Sequence, residues 1–82
     1  MKDSDEVYTE VKEFIAAHLH LSTQKIEPQS EVVNLTNDSI QLFELLIAFE
    51  KHYELEVAYE DVMNLNTVKD IGHYVHVHKY QG

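Results

Sequence analysis

From Asn37 to Glu50 the chain reads Asn-Asp-Ser-Ile-Gln-Leu-Phe-Glu-Leu-Leu-Ile-Ala-Phe-Glu, its longest strongly apolar stretch, with no Gly or Pro inside it. Nothing else in the sequence constrains the fold as tightly. Asp38 is a good N-cap, and Gln41 three residues on completes the Asp-x-x-Gln form of a capping box. The residues that follow are mostly good helix formers, so the sequence predicts a helix over 38–53. Ser39 then falls in the first turn, beside unpaired backbone N–H groups and the positive end of the helix dipole. Such a place suits a phosphate. Leu42, Leu45, Leu46, Phe49 and Tyr53 can face a core. Ile40, Phe43 and Ile47 form a second stripe, alongside Gln41, Glu44 and Lys51. Either both stripes are buried, or the second is a docking strip with an apolar centre and an acidic rim.

The flanking segments obey the same helical period. Val7, Val11, Phe14, Ile15 and Leu19 fall on one face, opposite Glu10, Lys12 and Glu13, which predicts an amphipathic helix over 5–19. Asp3 or Ser4 can cap it, and Asp3 with Glu6 has capping-box spacing. Over 20–37 the period is lost: Ser22, Thr23, Pro28, Ser30 and Asn34 break it, while Ile26, Val32, Val33 and Leu35 offer anchors. A long loop with at most one short turn is expected there. A short helix over 59–64 would be anchored by Val62 and Leu65. Thr67 caps a last helix over 67–78, with Asp70 in capping-box register and Val68, Ile71 and Val75 on its inner face. The expectation is an all-α protein: a small four-helix bundle with three longer helices, one short helix and a long first loop, forming one domain over 1–82.

Asp38-Ser39-Ile40, followed by Glu44-Leu45, Phe49-Glu50 and Tyr53, resembles the Asp-Ser-Leu signature and second helix of the acyl carrier protein family. The resemblance continues through Glu54-Leu55-Glu56-Val57, Glu60-Asp61, Leu65-Asn66-Thr67-Val68-Lys69-Asp70 and Tyr74-Val75, in the order of that family's acidic loop, short third helix and fourth helix. It implies that Ser39 carries a covalent 4′-phosphopantetheine arm whose thiol bears acyl groups as thioesters. It also implies that Asp38 contributes to recognition, and that Ile40, Phe43, Glu44 and Ile47 meet partner enzymes. A phosphopantetheinyl transferase would load the arm; synthases and acyl-transfer enzymes with basic docking patches would use it, in fatty-acid or related biosynthesis. Aminoacyl, D-alanyl or polyketide cargo is equally compatible. The chain departs from the family pattern twice, with Thr36 where a Gly is usual and Ala58 where a Pro is usual.

Charge narrows the partners. Fifteen Asp and Glu stand against six Lys and no Arg, a formal charge of −9. A basic face for nucleic acid cannot be assembled from this sequence, and anionic membrane surfaces should repel it. Proteins with basic patches are the natural partners, and a monomer is expected. There is no Cys, so no disulfide and no thiol nucleophile. No window is long and apolar enough for a membrane span, and the acidic N-terminal residues lack a signal peptide's apolar stretch, which points to the cytoplasm. The histidine pairs His18/His20 and His76/His78 are two apart and diverge on a helix; His73 and His76 could share an ion only weakly, and no metal site is expected. Glu54, Glu56, Glu60 and Asp61 could attract a divalent cation at low affinity. Nothing gathers a nucleophile, a base and a Gly-rich loop, so the chain is not expected to be an enzyme. Beside the carrier reading stands one other: an unmodified carrier-like module whose acidic second helix binds a basic protein.

Overall fold

In the computed structural model, which describes residues 2–80, four α-helices follow one another: α1 (Ser4–Leu19), α2 (Ser39–Tyr53), α3 (Tyr59–Asn64) and α4 (Val68–Val75). A π-helical turn, His76–Tyr80, continues α4, so the helical run predicted to end near 78 changes its hydrogen-bonding pattern after Val75. The architecture is an all-α bundle without strands among the described residues; a single isolated antiparallel bridge joins Glu31 and Thr67.

Local chemistry fixes where each helix starts and stops. Asp3 caps α1 by accepting from the Glu6 amide at 2.9 Å, and the acidic Asp5 and Glu6 occupy the turn where the helix dipole favours negative charge. The helix ends at His20, whose left-handed φ of 58° lets its amide and that of Leu21 bond back to the Ala16 carbonyl. At α4 the Thr67–Asp70 capping box is complete: the Asp70 amide donates to Thr67 Oγ1, and Asp70 Oδ2 accepts from the Thr67 amide.

Three helices make the core. Val7, Val11, Ile15, Ala16 and Leu19 from α1 meet Leu45, Phe49 and Tyr53 from α2 and Val68 and Val75 from α4. The α1 stripe read from the sequence is buried except for Phe14, which is half-buried. Gly72 is the buried α4 residue facing Tyr8, where an added Cβ would lie 3.4 Å from the Tyr8 Cα. The Tyr53 hydroxyl is buried with no hydrogen-bond partner among the described residues; burial first, then the negative Glu10 nearby, pushes this phenol above its usual pKa. Lys79 closes the end of α2 by donating to the Tyr53 carbonyl at 2.9 Å.

The long first loop holds more structure than the one short turn expected. It contains two 3₁₀ turns, Thr23–Lys25 and Val32–Asn34, and Ile26 is buried in the core. Backbone bonds stitch it to the start of α4: Val32 N to Asn66 O, Val68 N to Ser30 O, and Lys69 N to Pro28 O, at 2.9–3.0 Å. Val33 is no anchor, being 66% exposed. At the other extreme α3 buries no residue; Val62 is half-buried, and a 3.3 Å hydrogen bond from Tyr74 to Asp61 ties the helix to α4.

Candidate functional site

The site is built at the N-terminus of α2. Asp38 has extended backbone and caps the helix, Oδ1 accepting from the Ile40 amide at 2.9 Å and from the Gln41 amide at 3.3 Å. Ser39 is the first helical residue. It is exposed, and its hydroxyl makes no hydrogen bond among the described residues.

The capping box expected from Asp38 and Gln41 does not close. The Asp38 amide donates instead to Thr36 Oγ1 at 3.2 Å, and the Thr36 hydroxyl donates to Gln41 Oε1 at 2.6 Å. The hydroxyl two residues before the cap outcompetes the Gln41 amide for that N–H, as short-range threonine turns do. Thr36, standing where the resembled family has Gly, is not among the residues with left-handed φ; among the described non-glycine residues only His20 and Glu54 are. A side chain is therefore tolerated there without backbone strain. Ala58 has φ −62° and ψ 148°, the geometry a proline would impose.

Ser39 also lies on the lip of an open, mostly apolar cavity of about 550 Å³ formed between α2, α3 and the first loop, with residues of α1 and α4 in its walls. Leu42 and Leu46, expected in the core, line this space and are only half-buried. Its far walls are Ile15, Val62, Leu65 and Ile71, with Val33 and Met63 at the rim. The sequence reading missed this wall because its residues are spread over four elements with no common period. Ser39 fits a covalent phosphopantetheine arm: the residue is exposed, its hydroxyl is unengaged among the described residues, and the adjoining space is lined mostly by apolar side chains, with Glu31 and Asn66 among them.

Of the second stripe, Ile40 is 69%, Phe43 63% and Ile47 39% exposed, and Glu44 is exposed beside them. Their i, i+3, i+4, i+7 spacing places all four on one outer face of α2. The reading in which both stripes are buried is therefore wrong: Leu45, Phe49 and Tyr53 turn the other side of α2 to the core, and the second stripe stays exposed. Tyr59, 77% exposed, and Met63, 62% exposed, add apolar surface on α3 that the sequence did not single out. No three His, Asp or Glu side chains converge as a metal site among the described residues. In the acidic segment, Asp61 accepts from Tyr74 instead.

Residues 9–75 match the family model described as a phosphopantetheine attachment site. The chain is similar to the acyl carrier protein of Bdellovibrio bacteriovorus, 30% identical over 70 residues that cover 84% of this chain and 90% of the relative. It is 33% identical to that of Brachyspira hyodysenteriae over 72 residues, covering 85% and 92%. With that of Buchnera aphidicola it shares 39% identity over 62 residues, covering 74% and 80%. The chain belongs to the acyl carrier protein family. Its cofactor is 4′-phosphopantetheine, and it is a carrier rather than an enzyme. As a carrier domain it works with synthases and transferases in general. No helix among the described residues is long and apolar enough to cross a membrane.

Proposed function

We propose that Ser39 is the attachment point of the arm and that this chain, acting as one monomeric carrier unit in the cytoplasm, presents acyl groups as thioesters to enzymes of fatty-acid or related synthesis. The observation that carries the reading is the placement of an exposed, unengaged Ser39 hydroxyl on the lip of the apolar cavity. In the loading reaction Ser39 Oγ forms the new bond to phosphorus as the pyrophosphate linkage of coenzyme A breaks. The nucleotide portion leaves, and the hydroxyl proton passes to a base of the transferase. Asp38 holds the first turn in place and presents a carboxylate beside the serine. When attached, the arm supplies a thiol on a flexible tether. The cavity wall favours an alkyl chain, since each methylene removed from water gains about 0.8 kcal/mol. That preference favours fatty acyl cargo over aminoacyl or D-alanyl groups, whose short polar ends would gain little from a mostly apolar lining.

Ile40, Phe43 and Ile47, with Glu44 at their edge, serve as the docking strip for the phosphopantetheinyl transferase and for synthases with basic patches. A high negative charge steers such partners at long range. Loading tests the assignment. Incubated with coenzyme A and a broad-specificity phosphopantetheinyl transferase, the full chain should gain the mass of one arm and Ser39→Ala none. An arm on the alanine variant would move the attachment point elsewhere. A wild type refused by several transferases would favour the unmodified interaction module.

A further inference from the structure

We infer that Thr36 and Gln41 are positioning residues for the modification of Ser39, forming a hydroxyl–amide lock that straddles the serine; the inference rests on the reading of Ser39 as the attachment point. Thr36 lies three residues before Ser39 and Gln41 two after it. The Thr36 hydroxyl works in both directions, accepting from the Asp38 amide at 3.2 Å and donating to Gln41 Oε1 at 2.6 Å. Asp38 Oδ1 holds the Ile40 and Gln41 amides from the other side. The backbone before and after Ser39 is thus tied to one small network, and both Thr36 and Gln41 are half-buried, which shields their bond from water. Ser39 Oγ is the polar group this network leaves free.

The arrangement bears on reactivity because transfer needs the serine oxygen aligned with the bond it displaces. Misplacement by about 1 Å can lower such a rate about a hundredfold. A loop ordered beforehand brings that alignment to the encounter; a loop without the hydroxyl must find it within the complex. Glycine at 36 would offer no hydroxyl and a wider choice of backbone conformations. Removing the lock should therefore lower kcat and leave docking, carried by α2's outer face, almost unchanged.

The test compares the full-length wild type with Thr36→Val, Thr36→Ser and Thr36→Val/Gln41→Leu. Each is assayed for arm transfer from coenzyme A, and hydrogen exchange of the Asp38 amide is measured in the unmodified proteins. Thr36→Val, which removes both hydrogen bonds of the hydroxyl, should lower kcat about tenfold, with KM for the carrier within about twofold. Thr36→Ser should restore kcat, and the double variant should be no worse than Thr36→Val, because both changes break the same link. Asp38 exchange should quicken about tenfold in Thr36→Val and not in Thr36→Ser. An unchanged kcat, a loss confined to KM, or a loss that serine does not restore overturns the positioning role. A wild type that is modified normally but whose Asp38 amide ignores the valine change overturns this inference alone. A wild type that no transferase modifies overturns the attachment reading and this role with it.

Discussion

Asp70 shows how a single side chain can hold one junction of the fold. Its Oδ2 accepts from the Thr67 amide at 3.0 Å and the Asn66 amide at 3.2 Å, while its own amide donates to Thr67 Oγ1. These bonds, the one from Thr67 above all, hold its carboxyl below the usual carboxylate range. A depressed folded value means that the charged form stabilises the native state. That contribution is complete above the unfolded value of about 3.9 and fades as pH falls through it towards the folded one. Asp70→Asn should accordingly be less stable than wild type at about pH 6, and the gap should narrow progressively as pH falls below the unfolded value of about 3.9. Denaturant melts at about pH 6 and below that value check this; a gap of constant size would mean the charge is irrelevant and only the geometry of the cap matters. The Thr67–Asp70 box was legible in the sequence because both partners are local and of the right type. The Asp38–Gln41 box was equally well spelled but did not form. Its failure lay in Thr36, a residue outside the motif whose hydroxyl reaches the contested amide first.

Among the elements, helices with a one-sided apolar stripe were readable because periodicity alone decides which face is buried. The α1 stripe and the α2 residues Leu45, Phe49 and Tyr53 sit in the core for that reason. The first loop was not readable. Its order comes from backbone groups of Pro28, Ser30 and Val32 pairing with Asn66, Val68 and Lys69, and such pairing leaves no trace in side-chain pattern. The cavity beside Ser39 was hidden for a related reason, since distant segments supply its walls. The link between α2 and α3 carries a prediction of its own. Glu50 accepts from the Val57 amide at 2.9 Å, and the next residue, Ala58, leads into α3 without a side-chain cap. Its φ of −62° is that of proline, and its amide donates no hydrogen bond among the described residues. Ala58→Pro should then stabilise the protein by about 0.4–1 kcal/mol, by narrowing the unfolded ensemble. In a domain of this size about 1 kcal/mol corresponds to about 4–8 °C in Tm. A fall in Tm would show that Val57 cannot take the extended backbone a following proline requires.

The molecule as a whole is a small body, 34 × 28 × 19 Å, bearing a formal charge of −9 with one side-chain ion pair among the described residues, Lys2 with Glu10. Self-repulsion should therefore weigh on its stability. The Debye length is about 30 Å at 0.01 M salt and about 8 Å at 0.15 M. At low salt every carboxylate feels those on the far side of the protein, and at the higher salt only its neighbours. Raising sodium chloride between these limits should raise Tm, and thermal melts that stay level or fall would show that local pairs outweigh the net charge. The same compactness has a consequence for chain connectivity. Lys2 reaches over the ring of Tyr80, 5.4 Å from its centroid, so the first and last described segments of the bundle touch through their side chains. Even with both side chains extended the two backbones lie within about 20 Å, a span of about six linker residues. Spliced into a surface loop of a host protein through such linkers, this unit could ride there as a plug-in module without either partner being pulled apart.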